Sequence, residues 1–285
     1  MIATASNPAP GAAPADHPVW ASLLNRPVAA VMGVLNITPD SFSDGGKFNA
    51  PDHALAQARR MIAEGADIID IGAESTRPYG AQPVSADQEL ERLRPILSDI
   101  VSLGIPVSID SMKSTIVAWA ADAGASIAND VWGLQRDPAM AMLVAERNLP
   151  VIIMHNRDRA DAAIDIMDDM AAFFARSLDI AHRAGVSRGN IVLDPGIGFG
   201  KTPEQSMTAL ARLSELAAFG RPLLVGASRK RFISSVVSSE PHQRLGGSIA
   251  AHLAAARAGA QIIRTHDVAE TVQALRVAAA IEERR

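Results

Sequence analysis

The chain has 285 residues and a formal charge of −4, so it offers no general attraction to nucleic acid or anionic lipid, and an anionic ligand would need a local basic cluster. It contains no cysteine, which excludes disulfides, thiolate zinc sites and cysteine nucleophiles and leaves any metal to oxygen or imidazole. Hydrophobic residues make up 48% and aromatics only 4%, a balance that suits a parallel sheet of branched residues covered by Ala-rich helices.

Residues 1–19, rich in Ala and Pro, have neither the basic start of a signal peptide nor an apolar core long enough to span a membrane. They are expected to form a disordered tail before one domain over residues 20–285, in a cytoplasmic protein. From Pro27 onward short branched apolar runs alternate with segments of helical period. A strand at Ala29–Leu35 is followed by the polar loop Asn36–Gly46, NITPDSFSDGG, and a helix at Ala54–Ala63. Asp67–Ile71 leads to a helix at Asp87–Ser102, Pro106–Ile109 to Lys113–Ala123, and Ser126–Ala128 to Pro138–Arg147. Val151–Met154 is paired with Ile164–Ala184, Ile191–Leu193 with Pro203–Ala218, Leu223–Val225 with Gln243–Arg257, and Gln261–Ile263 with Val268–Glu282. Gly65, Gly104, Gly124, Gly185, Gly220 and Gly259 stand where helix C-termini are expected.

Eight such pairs are the number that closes a (β/α)8 TIM barrel, and no linker or low-complexity stretch interrupts them. A doubly wound open sheet shares the alternation, but its dinucleotide-binding form carries GxGxxG after the first strand, where this chain has NITPD.

In a barrel the chemistry lies at the C-terminal ends of the strands. The residues found there are Asn36, the run Glu74–Arg77, Asp110, Asn129 with Asp130, His155 with Asn156, Asp194, the run Ser228–Lys230, and Arg264, His266 and Asp267. One Asp after a strand is commonly a helix cap. So many polar groups around one mouth suit a flat polar heterocycle and an anion. Asp110 and Asp194 accept hydrogen bonds, Asn129 both donates and accepts, and Lys230 donates, so together they can read a ring edge carrying amino, N–H and carbonyl groups. Two Asp could instead bind a divalent metal or act as acid and base, although strands 3 and 6 are far apart for one shared ion. Arg264 and His266, with Arg77 and Asn36, form the basic cluster that the overall charge lacks. Pro195–Thr202, PGIGFGKT, imitates a phosphate loop but has Pro at the first glycine position, so its glycines are read as letting backbone and Phe199 approach a flat ligand.

Taken together, NITPDSFSDGG, GAESTRP, SID at Ser108–Asp110, NDVWG, MHN, LDPGIGFGKT, GASRK and RTHD resemble, in order and spacing, the dihydropteroate synthases of folate biosynthesis over Pro27–Arg276. The resemblance implies a transferase that joins 6-hydroxymethyl-7,8-dihydropterin diphosphate to 4-aminobenzoate with Mg2+, giving 7,8-dihydropteroate and diphosphate. By the same resemblance Asp110, Asn129, Asp194, Lys230 and Phe199 would hold the pterin. Arg264 would stack on it and, with His266, hold the diphosphate; Asn36 would bind Mg2+ and diphosphate. Thr76, Arg77, Pro78, Ser228 and Phe42 would form the aminobenzoate pocket, where sulfonamides compete in this family. Asn36, Lys230, Arg264 and His266 would carry the catalysis. The family is commonly dimeric, and a homodimer is expected with no nucleic-acid or membrane partner. The loops after strands 1 and 2 are expected to order with diphosphate or Mg2+. Two alternatives stand beside this reading. One is a pterin-binding methyltransferase, against which SRK and the full first loop speak; the other is a catalytically silent pterin-binding paralogue.

Overall fold

Eight parallel strands hydrogen-bond in sequence order, and the first pairs with the last, so the sheet closes into a barrel. The computed structural model describes residues 17–37, 50–74 and 84–284. The strands are β1 (Ala30–Asn36), β2 (Ile68–Gly72), β3 (Val107–Asp110), β4 (Ile127–Asp130), β5 (Val151–Met154), β6 (Ile191–Asp194), β7 (Leu223–Val225) and β8 (Ala260–Thr265). Several run one or two residues further than their apolar stretch, so Asn36, Asp110, Asn129, Asp194 and Arg264 lie within strands rather than after them. The hydrogen-bonded backbone therefore fixes their directions.

The helices are α1 (Pro18–Leu24), α2 (Ala50–Ala63), α3 (Ala86–Leu93), α4 (Leu97–Val101), α5 (Ser114–Asp122), α6 (Met140–Glu146), α7 (Ile166–Ala184), α8 (Pro203–Ala211), α9 (Arg231–Val236), α10 (Leu245–Arg257) and α11 (Val268–Glu282). All six glycines expected at helix ends have positive φ, from 59° to 102°. Where one helix was expected over Asp87–Ser102 there are two, because Pro95 has no N–H to donate and its ring obstructs a continuing helix. The segment expected to end at Ala218 gives way to a 3-10 turn over Leu213–Phe219. α9 was not foreseen. Its sequence, RFISSV, is too short and too rich in Ser and branched residues to display a helical period.

α1 is a second departure, since His17, Pro18 and Val19 fall within the expected tail. His17 caps this helix by accepting the Val19 N–H at 3.2 Å, and Pro18 sits in its first turn. Residues 1–16 lie outside the described residues. Trp20 on α1 is fully buried against the inward residues Ala30, Met32, Ile68, Ile127, Ile152, Val192, Leu224 and Ile262, closing the N-terminal end of the barrel. Its indole N–H donates to the Asn190 carbonyl at 2.8 Å. Trp20→Ala is expected to cost about 3–5 kcal/mol in urea unfolding. A loss below about 1 kcal/mol would mean that the barrel floor closes without it. Among the described residues no helix is long and apolar enough to cross a membrane.

Candidate active site

Side chains of a strand alternate between the barrel interior and the helices, so each inward floor residue is followed two positions later by another inward residue nearer the mouth. Ile68 is followed by Asp70, Ile127 by Asn129, Val192 by Asp194 and Ile262 by Arg264. The same step takes Ile152 to Met154 and Leu224 to Gly226. Thus apolar floor and polar mouth arise from one alternation. The mouth holds a narrow cleft lined by Asp110, Asn129, Asp194, Phe199, Lys230 and Arg264 among others.

The guanidinium of Arg264 lies at its centre. Its Nε donates to Asp70 Oδ2 at 2.6 Å and its Nη2 to Asp110 Oδ2 at 2.9 Å. Asn129 donates through Nδ2 to both oxygens of Asp70, at 3.2 and 3.3 Å. Asp110 Oδ1 and Asn129 Oδ1 are buried and have no hydrogen-bond partner among the described residues, which marks them as acceptors for a ligand bearing N–H groups. Burial pushes Asp110 up to about 7, with Arg264 opposing the rise and Asp70 adding to it. Burial likewise raises Asp194 to about 6, against the Gly196 N–H, Lys230 and Arg264. For Arg264 burial disfavours the charge, but Asp70 and Asp110 outweigh it and raise its pKa. Lys230 Nζ lies 4.0 Å from the centre of the Phe199 ring, so a cation and an aromatic face share one wall.

His266 sits beside this centre and contributes no positive charge: burial, then Arg264, Arg229 and Lys230, push it down to about 3. This corrects its expected place in a basic cluster. Ser228 Oγ accepts the His266 backbone N–H at 3.2 Å and lies 3.0 Å from its Nδ1. The serine hydroxyl can donate to Nδ1, which places the proton of the neutral ring on Nε2. Ser228 is thus a partner of His266. Asn36 ends β1 half-buried. Phe42, Thr76, Arg77 and Pro78 lie outside the described residues, as do the loops expected to order with ligand.

Several polar residues at the strand ends serve the scaffold instead of the cleft. Asp130 accepts the N–H groups of Trp132 and Leu134, at 2.9 and 2.7 Å. Glu74 pairs with Lys113 at 2.5 Å. Arg229 forks onto Asp267, with Nε to Oδ2 at 3.0 Å. His155 lies between Asp169, 2.9 Å from its Nε2, and Lys201, 2.7 Å from its Nδ1. Lys201 is buried and donates to the carbonyls of Gly196 and Phe199 at 2.9 and 3.1 Å, so it pins the loop carrying Phe199 and does not reach for a phosphate. At Gly196, with φ of 61°, a Cβ would stand 2.0 Å from the His155 carbonyl oxygen; only glycine lets the loops after β5 and β6 touch backbone to backbone.

Asp70 was missed by reading only residues that follow each strand. The available signal was a carboxylate in the middle of IIDIG, a run buried throughout. A larger hollow of about 650 Å3 is lined by Trp132, Arg136, Asn156, Arg157, Arg159 and Arg176 among others. None of the strand residues that line the smaller cleft lines this one.

A family model described as "Pterin binding enzyme" matches residues 32–266. The chain is 45% identical to a dihydropteroate synthase of Bacillus subtilis over 253 residues, covering 88% of each chain. It is 42% identical to that of Escherichia coli strain K12 over 254 residues, covering 87% of this chain and 89% of the relative. Among solved structures it is similar to a dihydropteroate synthase of Clostridium difficile in the presence of pteroic acid. The TM-score is 0.86 at 45% identity, covering 89% of this chain and 97% of that one. The Xanthomonas albilineans dihydropteroate synthase with 4-aminobenzoic acid has a TM-score of 0.86 at 42% identity, covering 91% and 94%.

Proposed function

We propose how the cleft works from the premise that this chain belongs to the pterin-binding enzyme family and, within it, to the dihydropteroate synthases. The chain is a transferase that condenses 6-hydroxymethyl-7,8-dihydropterin diphosphate with 4-aminobenzoate, giving 7,8-dihydropteroate and diphosphate. Asp110, Asn129 and Asp194 read the donor edge of the pterin, Lys230 reads an acceptor on it, and Phe199 and Arg264 cover its faces. The observation that carries this assignment is the pair of buried, partnerless acceptors on Asp110 and Asn129 in one cleft with two cations. Relatives of known structure have been solved with pteroic acid and with 4-aminobenzoic acid, which supports the same use of this mouth.

The diphosphate is held by Asn36, Arg264 and the Nε2–H of His266. Mg2+ fits here as a partner of the diphosphate: among the described residues no group of three or more His, Asp or Glu could hold a metal, and Asn36 offers one hard oxygen. Bound there, the ion would supply further charge neutralisation at the phosphate oxygens. The bond between the pterin methylene and the diphosphate oxygen breaks with its electron pair leaving on oxygen, assisted by Arg264 and His266. Asp110 and Asp194 face the cation that develops on the ring. The amine of 4-aminobenzoate then forms the new C–N bond and loses its proton to water; an aryl amine is nucleophilic at neutral pH and needs no strong base. Thr76, Arg77, Pro78, Phe42 and Ser228 receive the aminobenzoate, Ser228 while oriented against His266. The exposed Val277 and Ile281 on α11 support a homodimer, and the family points to the cytoplasm.

The test is single-turnover release of diphosphate alongside pteroate formation. His266→Ala is expected to slow diphosphate release about 100-fold, the scale of losing one donor to a developing oxyanion. An unchanged cleavage rate would remove His266 from the leaving-group site. Tight pterin binding by the parent with no turnover would return the silent paralogue.

A further inference from the structure

Asp70 lies in the middle of β2, fully buried below the mouth. It touches two of the residues assigned to the pterin, and they reach it from opposite sides of the barrel: Arg264 from β8 at 2.6 Å and Asn129 from β4 at 3.2–3.3 Å. A carboxylate facing an arginine only accepts, so the atom that Asn129 turns toward it is the amide nitrogen. Asn129 Oδ1 is thereby left without a partner among the described residues. Asp110 arrives at the same condition through the same arginine. Its Oδ2 is occupied by Arg264 Nη2 at 2.9 Å, and its Oδ1 is left over.

We propose that Asp70 is a positioning residue that sets the hydrogen-bond polarity of the cleft: by clamping Arg264 and the Asn129 amide together, it makes Asn129 present an acceptor beside that of Asp110. The cleft then selects heterocycles that bring a ring N–H or amino donor to both oxygens, and rejects isosteres that place a carbonyl or bare ring nitrogen there. This rests on the reading that Asp110, Asn129 and Arg264 bind the pterin. Aminobenzoate, which binds outside this network, is not subject to the selection.

Asp70→Asn changes one atom and reverses the polarity. The new amide oxygen stays with Arg264, the new NH2 faces Asn129, and the Asn129 amide must turn over to accept from it, which points a donor into the cleft. The KM for pterin diphosphate is expected to rise about 100-fold, with the KM for 4-aminobenzoate at saturating pterin changed less than about threefold. Adding Asn129→Asp restores an acceptor whichever way that side chain turns, because one carboxylate oxygen accepts from the new amide and the other faces the cleft. The double variant should recover pterin affinity at least about tenfold over Asp70→Asn.

A merely structural role for Asp70 predicts equal losses for both substrates and no rescue, and that result overturns the proposal. So does an unchanged pterin KM in Asp70→Asn when Asn129→Ala raises it. If Asn129→Ala leaves pterin binding unchanged, the underlying assignment falls and the proposal with it. Should Asp70→Asn alone not fold, Asn129→Asp is compared with the double variant. Alone it sets two carboxylates face to face, and adding Asp70→Asn must then restore pterin binding at least about tenfold.

Discussion

Replacing Arg264 by alanine is expected to destabilise the protein by about 3–5 kcal/mol at pH 7.5, as well as to abolish turnover. The guanidinium is the direct ion-pair partner of Asp70 and Asp110, at 2.6 and 2.9 Å, and both carboxylates are buried below the mouth. Removing it leaves two acidic groups in a low-dielectric site, Asp70 held by the Asn129 amide and Asp110 opposed by the Lys230 charge. The sign of the pH dependence identifies this cause. Asp110 already stands at about 7 while Arg264 holds it down, so in the variant it keeps its proton to higher pH still. A carboxyl group that binds protons more tightly folded than unfolded adds stability as pH falls. Urea unfolding at pH 7.5 and pH 5 should therefore show the gap between variant and parent narrowing in acid. Arg264→Lys should lie between them, since an ammonium keeps the charge but cannot fork across two carboxylates. A loss below about 1 kcal/mol, or one independent of pH, would show that the ion pairs contribute little.

Asp194→Asn is expected to separate function from stability. The Asp194 carboxyl is raised by burial to about 6 from its ordinary 3.8, so keeping it ionised above pH 6 costs on the order of 3 kcal/mol. That cost disappears as pH falls from 6 toward 4. The variant should be more stable than the parent at pH 8, with the two converging near pH 4.5. Its kcat/KM for pterin diphosphate should fall about 1000-fold, because an amide offers the ring edge neither the charge nor the paired acceptors of a carboxylate. In the parent, Asp110 and Asp194 must both be ionised to accept from the ring. Calorimetric Kd values should therefore weaken about tenfold per pH unit between pH 7 and 6, with about one proton released on binding, and about a hundredfold per unit below pH 6, where both carboxyls must give up a proton. Pterin affinity that is flat from pH 5 to 8 would show that neither carboxylate meets a ring donor.

Much of the active face can be read along the chain because its causes are local. Each apolar run that ends in Asn36, Asp110, Asn129, Asp194 or Arg264 marks a strand rising out of the core, and glycines such as Gly185 stop helices through a backbone conformation only they adopt freely. Residues that act through distant neighbours are not readable in this way. Asp130 and Asp110 are each the last residue of a strand, yet one closes its own turn and the other opens onto the cleft. Trp20 sits in a segment with no pattern of its own and has a place only because the eight strands leave a floor to fill.

By itself, then, the sequence determined the alternation of eight strands and helices, the polar character of the strand ends and the family to which they belong. These depend on residue type, period and order along the chain. Only the tertiary structure decided which polar groups share the cleft, that His266 is neutral, and that Asp70 joins β2 to β4 and β8 beneath it. Burial and charge are properties of neighbours brought together across the barrel. Asp70 and Arg264 are separated by 194 positions in the chain and by 2.6 Å in the fold.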